Sequence, residues 1–281
     1  MSSPVEPGYK VAQFTLAIGE RRIEATAQVP AAEVRIADLL PVLRKFNDAV
    51  IGVSVAEAED RGETVSCCAG CGACCRQAVP IAESEALALI EWVETLPPAQ
   101  QELLRARFKQ ATQELDSKGV LELTRRANQL RAQPELVQFA LNYFDAGVPC
   151  PFLIKESCSI HPIRPMKCRE YLVTSPAVNC QSPTPETIRK VSVPKPFSRI
   201  LFHLENHMAP GWGKWIPLVL LFEWAEQKRH LPQRTADGAS LFQEVVGALG
   251  DVPAENLSDT FGLTGLSQQM QSNEPRSVSP L

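Results

Sequence analysis

Five cysteines fall within nine residues of this chain, in the string CCAGCGACC that runs from Cys67 to Cys75. No other feature restricts the fold as strongly, because several sulfurs on one short loop form disulfides, act in catalysis or bind a metal. The glycines and alanines between the cysteines let the backbone turn closely, and glycine allows the positive φ angles that such loops often need. The string therefore predicts a loop that turns several sulfurs toward one place.

The other four of the nine cysteines, Cys150, Cys158, Cys168 and Cys180, lie in a proline-rich segment with little periodicity. The amino terminus, MSSPVEPGYK, has no basic stretch followed by an apolar one, so it does not resemble a secretory signal and we expect a cytoplasmic protein. In that reducing compartment, clustered cysteines bind metals or act in catalysis more often than they form disulfides. An oxidising compartment would reverse this preference.

The spacing Cys68-x2-Cys71-x2-Cys74 matches the opening of the bacterial ferredoxin run C-x2-C-x2-C-x3-C-P. Ala78 stands where the fourth cysteine of that run would be, so a further ligand must come from elsewhere. The Cys150-Pro151 pair is similar to the missing Cys-Pro. We therefore predict that the two cysteine groups meet in the fold.

Cys75 follows Cys74 directly, and adjacent side chains point in different directions in most backbone conformations. We expect the two sulfurs to diverge, so that Cys75 reaches either a second metal or another corner of a cluster. Spacing alone does not choose between these two arrangements.

The segments CAGCGACC (residues 68–75) and CPFLIKESCSIHPIRPMKCREY (residues 150–171) closely resemble the YkgJ-like cysteine-cluster family, which is described as zinc- or iron-chelating and carries a CxxCxxCC signature. The second signature of that family, C-x-I-Y-x-x-R-P-x-x-C-R, matches here except that His161 replaces the tyrosine. The resemblance covers roughly residues 65–180. It implies metal binding much more firmly than any reaction, although flagellin lysine methylases carry a similar cysteine pattern.

The resemblance implies eight metal ligands: Cys68, Cys71, Cys74, Cys75, Cys150, Cys158, Cys168 and Cys180. Cys67 lies outside the register, and we expect it to be dispensable for metal binding. His161 is either an additional ligand or a simple replacement for the tyrosine. His203 and His207, four residues apart, would share a helix face, but no third metal ligand is evident beside them.

Thiolate-rich sites suit both zinc and iron–sulfur clusters. The ferredoxin-like triplet favours an iron–sulfur cluster, because structural zinc usually shows paired C-x2-C knuckles. Four thiolates leave either centre formally dianionic, and Arg164, Lys167 and Arg169 are positioned in sequence to offset that charge or to donate hydrogen bonds to sulfur. The alternatives are that these cations form an ordinary solvated patch and that the metal only holds the loop in shape.

Hydrophobic periodicity predicts a mainly α protein with a small N-terminal β-hairpin and an irregular, metal-stapled loop region. Alternation over residues 11–29 predicts the hairpin, with its turn at Gly19. Helical periods predict helices over residues 36–50, 85–93, 103–115, 121–130, 135–144, 199–208, 217–229 and 239–249. The pair Pro97 and Pro98 should end the second of them.

These patterns divide the chain into four parts. Residues 1–62 form a hairpin with a helix, residues 63–198 a cysteine-cluster metal-binding domain, residues 199–264 a C-terminal helical extension, and residues 265–281 a disordered tail. The tail is polar and has no apolar period.

Composition restricts the function further. The formal net charge is −4 and no basic stretch stands out, so we expect neither nucleic acid nor an anionic membrane as a partner. We predict a metal-binding protein in redox, electron-transfer or metal-handling roles, with an unknown protein or redox partner. The alternatives are a cluster-dependent enzyme, such as a protein-lysine methyltransferase of the flagellin methylase type, and a zinc-stabilised interaction module.

Overall fold

The computed structural model describes residues 8–18, 21–130, 132–184, 186–208, 215–230 and 232–251. The strands are β1 Tyr9–Ile18, β2 Arg21–Pro30, β3 Glu33–Val34, β4 Pro80–Ile81, β5 Leu153–Ile154, β6 Ser157–Cys158, β7 Ile216–Pro217 and β8 Ala236–Asp237. The helices are α1 Ile36–Asp60, α2 Glu83–Glu94, α3 Pro98–Ser117, α4 Leu121–Arg126, α5 Gln133–Asp145, α6 Met166–Glu170, α7 Phe197–Met208, α8 Leu221–Lys228 and α9 Gly238–Asp251. The mainly helical fold with a small β element is therefore confirmed.

The N-terminal hairpin forms as predicted. β1 and β2 pair antiparallel from Tyr9 opposite Pro30 to Ile18 opposite Arg21, while the predicted turn at Gly19 lies outside the described residues. Ala27 and Val29 of β2 are buried in the same apolar core as α1 and α9. The hairpin is thus attached to the helical body by one face of its second strand.

The helical segments differ from the predictions mainly at their ends. α1 continues ten residues beyond the predicted end at residue 50, and Pro98 occupies the first turn of α3, where a missing N–H costs nothing. The predicted helix over residues 121–130 is α4 followed by a 3-10 turn at Ala127–Gln129. The proline pair therefore begins a helix as well as ending one.

The proline-rich segment contains more structure than its sequence indicates. β5 and β6 form a minimal hairpin, and 3-10 turns at His161–Ile163 and Ala177–Gln181 flank the five-residue helix α6. These elements are too short to show a hydrophobic period. The other short strands pair as β3 with β8 and β4 with β7, which connects the C-terminal part of the chain to the N-terminal part.

Two larger apolar cores support the cysteine region. The first contains β2, α1, α7 and α9, and it includes Met166 of α6. The second contains α2, part of α3 and α8, and it includes Phe152 and Ile160 from the proline-rich segment. Residues from three of the four predicted parts therefore meet in the first core.

In the part of the chain that the structure describes, every helix is too short or too polar to cross a membrane. The predicted tail at residues 265–281 lies outside the described residues. The four-part division of the chain stays a prediction.

Candidate metal centre

The first cysteine group lies on a tight loop between α1 and β4. The Cys71 N–H donates to the Cys68 carbonyl across a turn in which Gly70 has a φ of +82°. A 3-10 turn then runs from Ala73 to Arg76, and its first half is closed by a hydrogen bond of 3.0 Å from the Cys75 N–H to the Gly72 carbonyl. The small residues of the string permit both turns.

The Cys75 thiol raises the pKa of Cys74, and burial adds to this effect, so the two adjacent thiols lie near each other at the 3-10 turn. This proximity does not agree with the expectation that the two side chains diverge. Cys75 is also close to Arg76: the hydrogen bond to Glu156 is the main cause that raises the pKa of Arg76, and the charge of Cys75 adds to it.

The second cysteine group reaches the first through the backbone. The Cys150 N–H donates to the Cys75 carbonyl at 2.7 Å, which joins the two groups directly. Cys158 lies on β6, Cys168 on α6, and Cys180 in the 3-10 turn at Ala177–Gln181.

Eight cysteines face one cavity of about 610 Å³. They are Cys67, Cys68, Cys71, Cys74, Cys75, Cys150, Cys158 and Cys168. Cys180, the remaining predicted ligand, is buried beside them and opens with Cys71 onto a neighbouring cavity. The two groups thus come together as the spacing predicts, although their role as metal ligands stays a prediction.

Within the described residues, no three Cys, His, Asp or Glu side chains are arranged to hold a single metal ion. The sulfurs therefore surround a space rather than a point.

Burial sets the protonation of the thiols of Cys150 and Cys168. It raises the pKa of Cys150 to about 12, and burial also raises the pKa of Cys168 well above the usual value, with further increases from neighbouring thiols. These groups stay protonated at neutral pH unless a cation replaces the proton. Metal binding here would consequently release protons and be favoured by rising pH.

Arg164 provides an independent test of whether this site fits an anionic centre. Its side chain lines the cavity, and its Nε is buried with no hydrogen-bond partner among the described residues. Burial raises the pKa of Cys158, whereas the Ile160 N–H and the Arg164 charge act in the opposite direction. A buried donor without a partner is costly, and a metal-bound thiolate is an acceptor that would satisfy it. The residues present therefore fit a thiolate-bound metal group.

The other predicted cations have different positions. Lys167 lines the cavity, and so does Lys190, whose Nζ lies 4.9 Å from the centre of the Tyr171 ring. Arg169 instead stabilises the loop around the site: it binds Asp48 of α1 at 2.9 Å and donates to the carbonyls of Pro162 and Arg164. Arg169 thus fixes the segment before Cys168.

The β5–β6 hairpin rests directly on the first cysteine loop. Arg76 donates to the Gly72 carbonyl and binds both carboxylate oxygens of Glu156 at the tip of the hairpin. A Cβ atom at Gly72 would lie 2.5 Å from Glu156 Oε2 and 2.9 Å from Leu153 Cδ1. Only glycine permits this close approach.

Sequence reasoning missed Glu85, which is 1% exposed and binds the first residue of α6. Its carboxylate accepts the Ala82 N–H at 3.0 Å, capping its own helix, and the Met166 N–H at 2.7 Å at the start of α6. Burial raises the pKa of Glu85. The capping-box spacing from residue 82 to Glu85 was a usable signal for its local role, but Ala82 concealed it because that position usually holds Ser or Thr.

The histidines considered as possible ligands occupy different places. His161 is exposed at the edge of the cavity, where the charge of Arg164 and partial burial lower its pKa. His203 is exposed on α7, and the side chain of His207 lies outside the described residues, so the proposed histidine pair stays a prediction.

Residues 67–188 match the family model CxxCxxCC, described as "Putative zinc- or iron-chelating domain". Searches of curated proteins and of solved structures gave no match. The matched residues include both cysteine groups, the β5–β6 hairpin, α6 and most of the lining of the cavity.

Proposed function

We propose that the cysteines of this chain, whose residues 67–188 match the CxxCxxCC model of a zinc- or iron-chelating domain, hold an iron–sulfur centre that exchanges electrons with a partner protein. The observation that carries this proposal is the cavity of about 610 Å³ that both cysteine groups face. The buried Nε of Arg164 has no hydrogen-bond partner among the described residues, and an anionic group in the cavity would satisfy this donor.

The spacing of the sulfurs favours a cluster over a single zinc ion. Four sulfurs on one zinc would lie only about 3.8 Å apart, given Zn–S bonds of about 2.3 Å in a tetrahedron. No three ligating side chains in the described part of the chain have such an arrangement. A cluster separates its ligand sulfurs by several metal atoms, so it suits a lined cavity better.

An electron-transfer role agrees with the position of the site. Cys67 and Cys68 are exposed, whereas Cys180 is buried and Cys168 is partly covered, so the centre extends from the interior to the surface. An iron–sulfur centre supplies one-electron transfer, and solvent exposure and hydrogen bonds to sulfur adjust its potential. Lys167 and Lys190 line the same cavity, where their charges would offset that of the thiolates.

Anaerobic metal and sulfide analysis tests the proposal directly. We expect the full chain, purified without a metal-binding tag, to contain iron with a comparable amount of acid-labile sulfide and to show broad visible absorption that a reductant bleaches reversibly. Cys158→Ser should lose much of the iron, because Cys158 faces the cavity and is held by β6.

His161→Ala is the matched control, since His161 lines the same cavity but offers an imidazole at its exposed edge. This variant should keep its iron and sulfide. Zinc without sulfide in the wild-type protein would overturn the proposal in favour of a zinc-stabilised interaction module. Equal loss of iron in both variants would instead give His161 the role of a ligand.

A further inference from the structure

The N-terminal hairpin has a long outer edge of backbone on β1. β1 and β2 have ten residues each and form a two-stranded sheet, and no other strand of the described residues joins it. The other strands in that part of the chain have two residues each. An edge strand presents a row of backbone donors and acceptors that another strand can join. The edge of β1 is therefore a candidate interaction surface.

The register of the hairpin shows which backbone groups face outward. The Ala31 N–H donates to the Gly8 carbonyl at 2.8 Å, and this pair continues the register of Tyr9 opposite Pro30. In an antiparallel ladder every second residue pair exchanges hydrogen bonds, so the even-numbered residues of β1 bond to β2. The odd-numbered residues then direct their N–H and C=O groups to the outer edge: Tyr9, Val11, Gln13, Thr15 and Ala17.

The outer edge of β1 lacks the features that normally keep an edge strand from pairing. Proteins protect such edges with charged side chains and with proline. Residues 11–18 of β1 include neither, and the charge of Lys10 is already paired with Asp237 at 2.9 Å. The outer positions of β2, which lie across from the odd-numbered residues of β1, do include them: Arg22, Glu24 and Pro30.

Apolar side chains add to the exposed surface of this strand. Tyr9 is 42% exposed and Val11 is 44% exposed. The body of the protein supports the hairpin through Ala27 and Val29 of β2, which are buried in the first core. A two-stranded sheet gains stability from further strands, so pairing along β1 would stabilise the hairpin as well as cover these side chains.

We propose that two copies of this chain pair along β1 in an antiparallel, two-fold symmetric dimer with a continuous four-stranded sheet. The fullest register places Gln13 opposite Gln13 of the second copy, because it brings every outward residue from Tyr9 to Ala17 opposite another outward residue. Each hydrogen-bonded pair exchanges two bonds, which gives about ten bonds between the copies, as in a typical specific interface. This proposal does not depend on the proposed function.

A second copy matches this edge in length, phase and charge. In the same register Val11 lies opposite Thr15 of the second copy, and both are β-branched residues that favour strands. Lys10 falls opposite Leu16 of the second copy, so no two like charges face each other along the strands. The two-fold axis supplies this match without a second gene product, and two-fold dimers are the commonest soluble oligomers.

Sedimentation velocity of the full chain, with its metal content unchanged, tests the proposal. We expect the wild-type protein to form a dimer whose fraction rises with concentration. Gln13→Lys and Gln13→Glu should each lose the dimer, because two like charges would then lie directly opposite each other at the two-fold axis. An equal mixture of the two variants should form the dimer again, since lysine then faces glutamate.

Thr26→Lys is the matched control, because Thr26 lies across from Gln13 on β2 and is also exposed, but its backbone groups face the other edge. This variant should keep the dimer. Restoration by mixing also shows that both Gln13 variants are folded.

A wild-type chain that stays monomeric at every concentration would mean that something other than a second copy covers the edge, and it would overturn the proposal. A dimer that both Gln13 variants preserve would overturn it as well, because the contact would then lie elsewhere. Loss of the dimer in both variants without restoration on mixing would contradict the pairing of Gln13 with itself.

Discussion

At the residue scale, Gly72 is the position where one added atom has the clearest consequence. A Cβ there would lie 2.5 Å from Glu156 Oε2 and 3.2 Å from the Glu156 Cα, so the hairpin backbone would have to move. We expect Gly72→Ala to lower the free energy of unfolding by about 1–3 kcal/mol, the usual cost of overpacking. Gly52→Ala in α1 is the matched control, because nothing lies within 4 Å of its added atom. Denaturant unfolding measures both variants.

Gly52→Ala should raise the stability by about 0.5–1 kcal/mol, since alanine loses less backbone entropy than glycine in a helix. Similar small effects at both positions would contradict the close packing of the hairpin on the cysteine loop. The sequence predicts that small residues let this loop wrap closely, and Gly70 with its φ of +82° agrees. The need for Gly72 could not be predicted, because it depends on Glu156, which is distant in the chain.

At the scale of elements, the turn between β5 and β6 has an unusual composition. Lys155 and Glu156 have φ values of 48° and 59°, a left-handed conformation that asparagine and glycine adopt more easily. We expect Lys155→Asn to raise the free energy of unfolding by about 1 kcal/mol, since this conformation is costly for most side chains. Glu156→Gly relieves the same strain but removes the ion pair with Arg76, so it should gain less. A decrease in stability for Lys155→Asn would contradict the assigned turn.

The elements that sequence reasoning found are the long ones. The helices around residues 36–50, 103–115 and 135–144 show several apolar repeats, and each exists as a helix. β5, β6 and α6 have two to five residues each, which is less than the length over which a period of 2 or 3.6 becomes visible. These short elements carry Cys158 and Cys168, so the spacing predicts that the site exists but not how it is built.

At the scale of the whole molecule, the proline-rich segment that carries Cys150, Cys158 and Cys168 is attached to the helical body through a few apolar side chains. Phe152 belongs to the second core and Met166 to the first, and both are fully buried. Cys158 lies between these anchors in the chain and faces the cavity. Sequence alone could not show this, because apolar residues in a segment without periodicity give no indication of which core they join.

Metal removal should therefore loosen the segment from Gly147 to about Cys180 while the helical body remains folded. Structural zinc contributes about 10–16 kcal/mol in small peptides, and without a metal the protein must bury several thiols around a cavity. We expect limited proteolysis of anaerobically stripped full-length protein to give new cleavage at Lys155 and Lys167. Arg105 and Lys109 in α3 serve as internal controls and should keep their protection, with little change in far-ultraviolet circular dichroism. Cleavage that is unchanged by stripping would mean that packing of Phe152 and Met166 alone holds the segment, and the structural role assigned to the metal would be wrong.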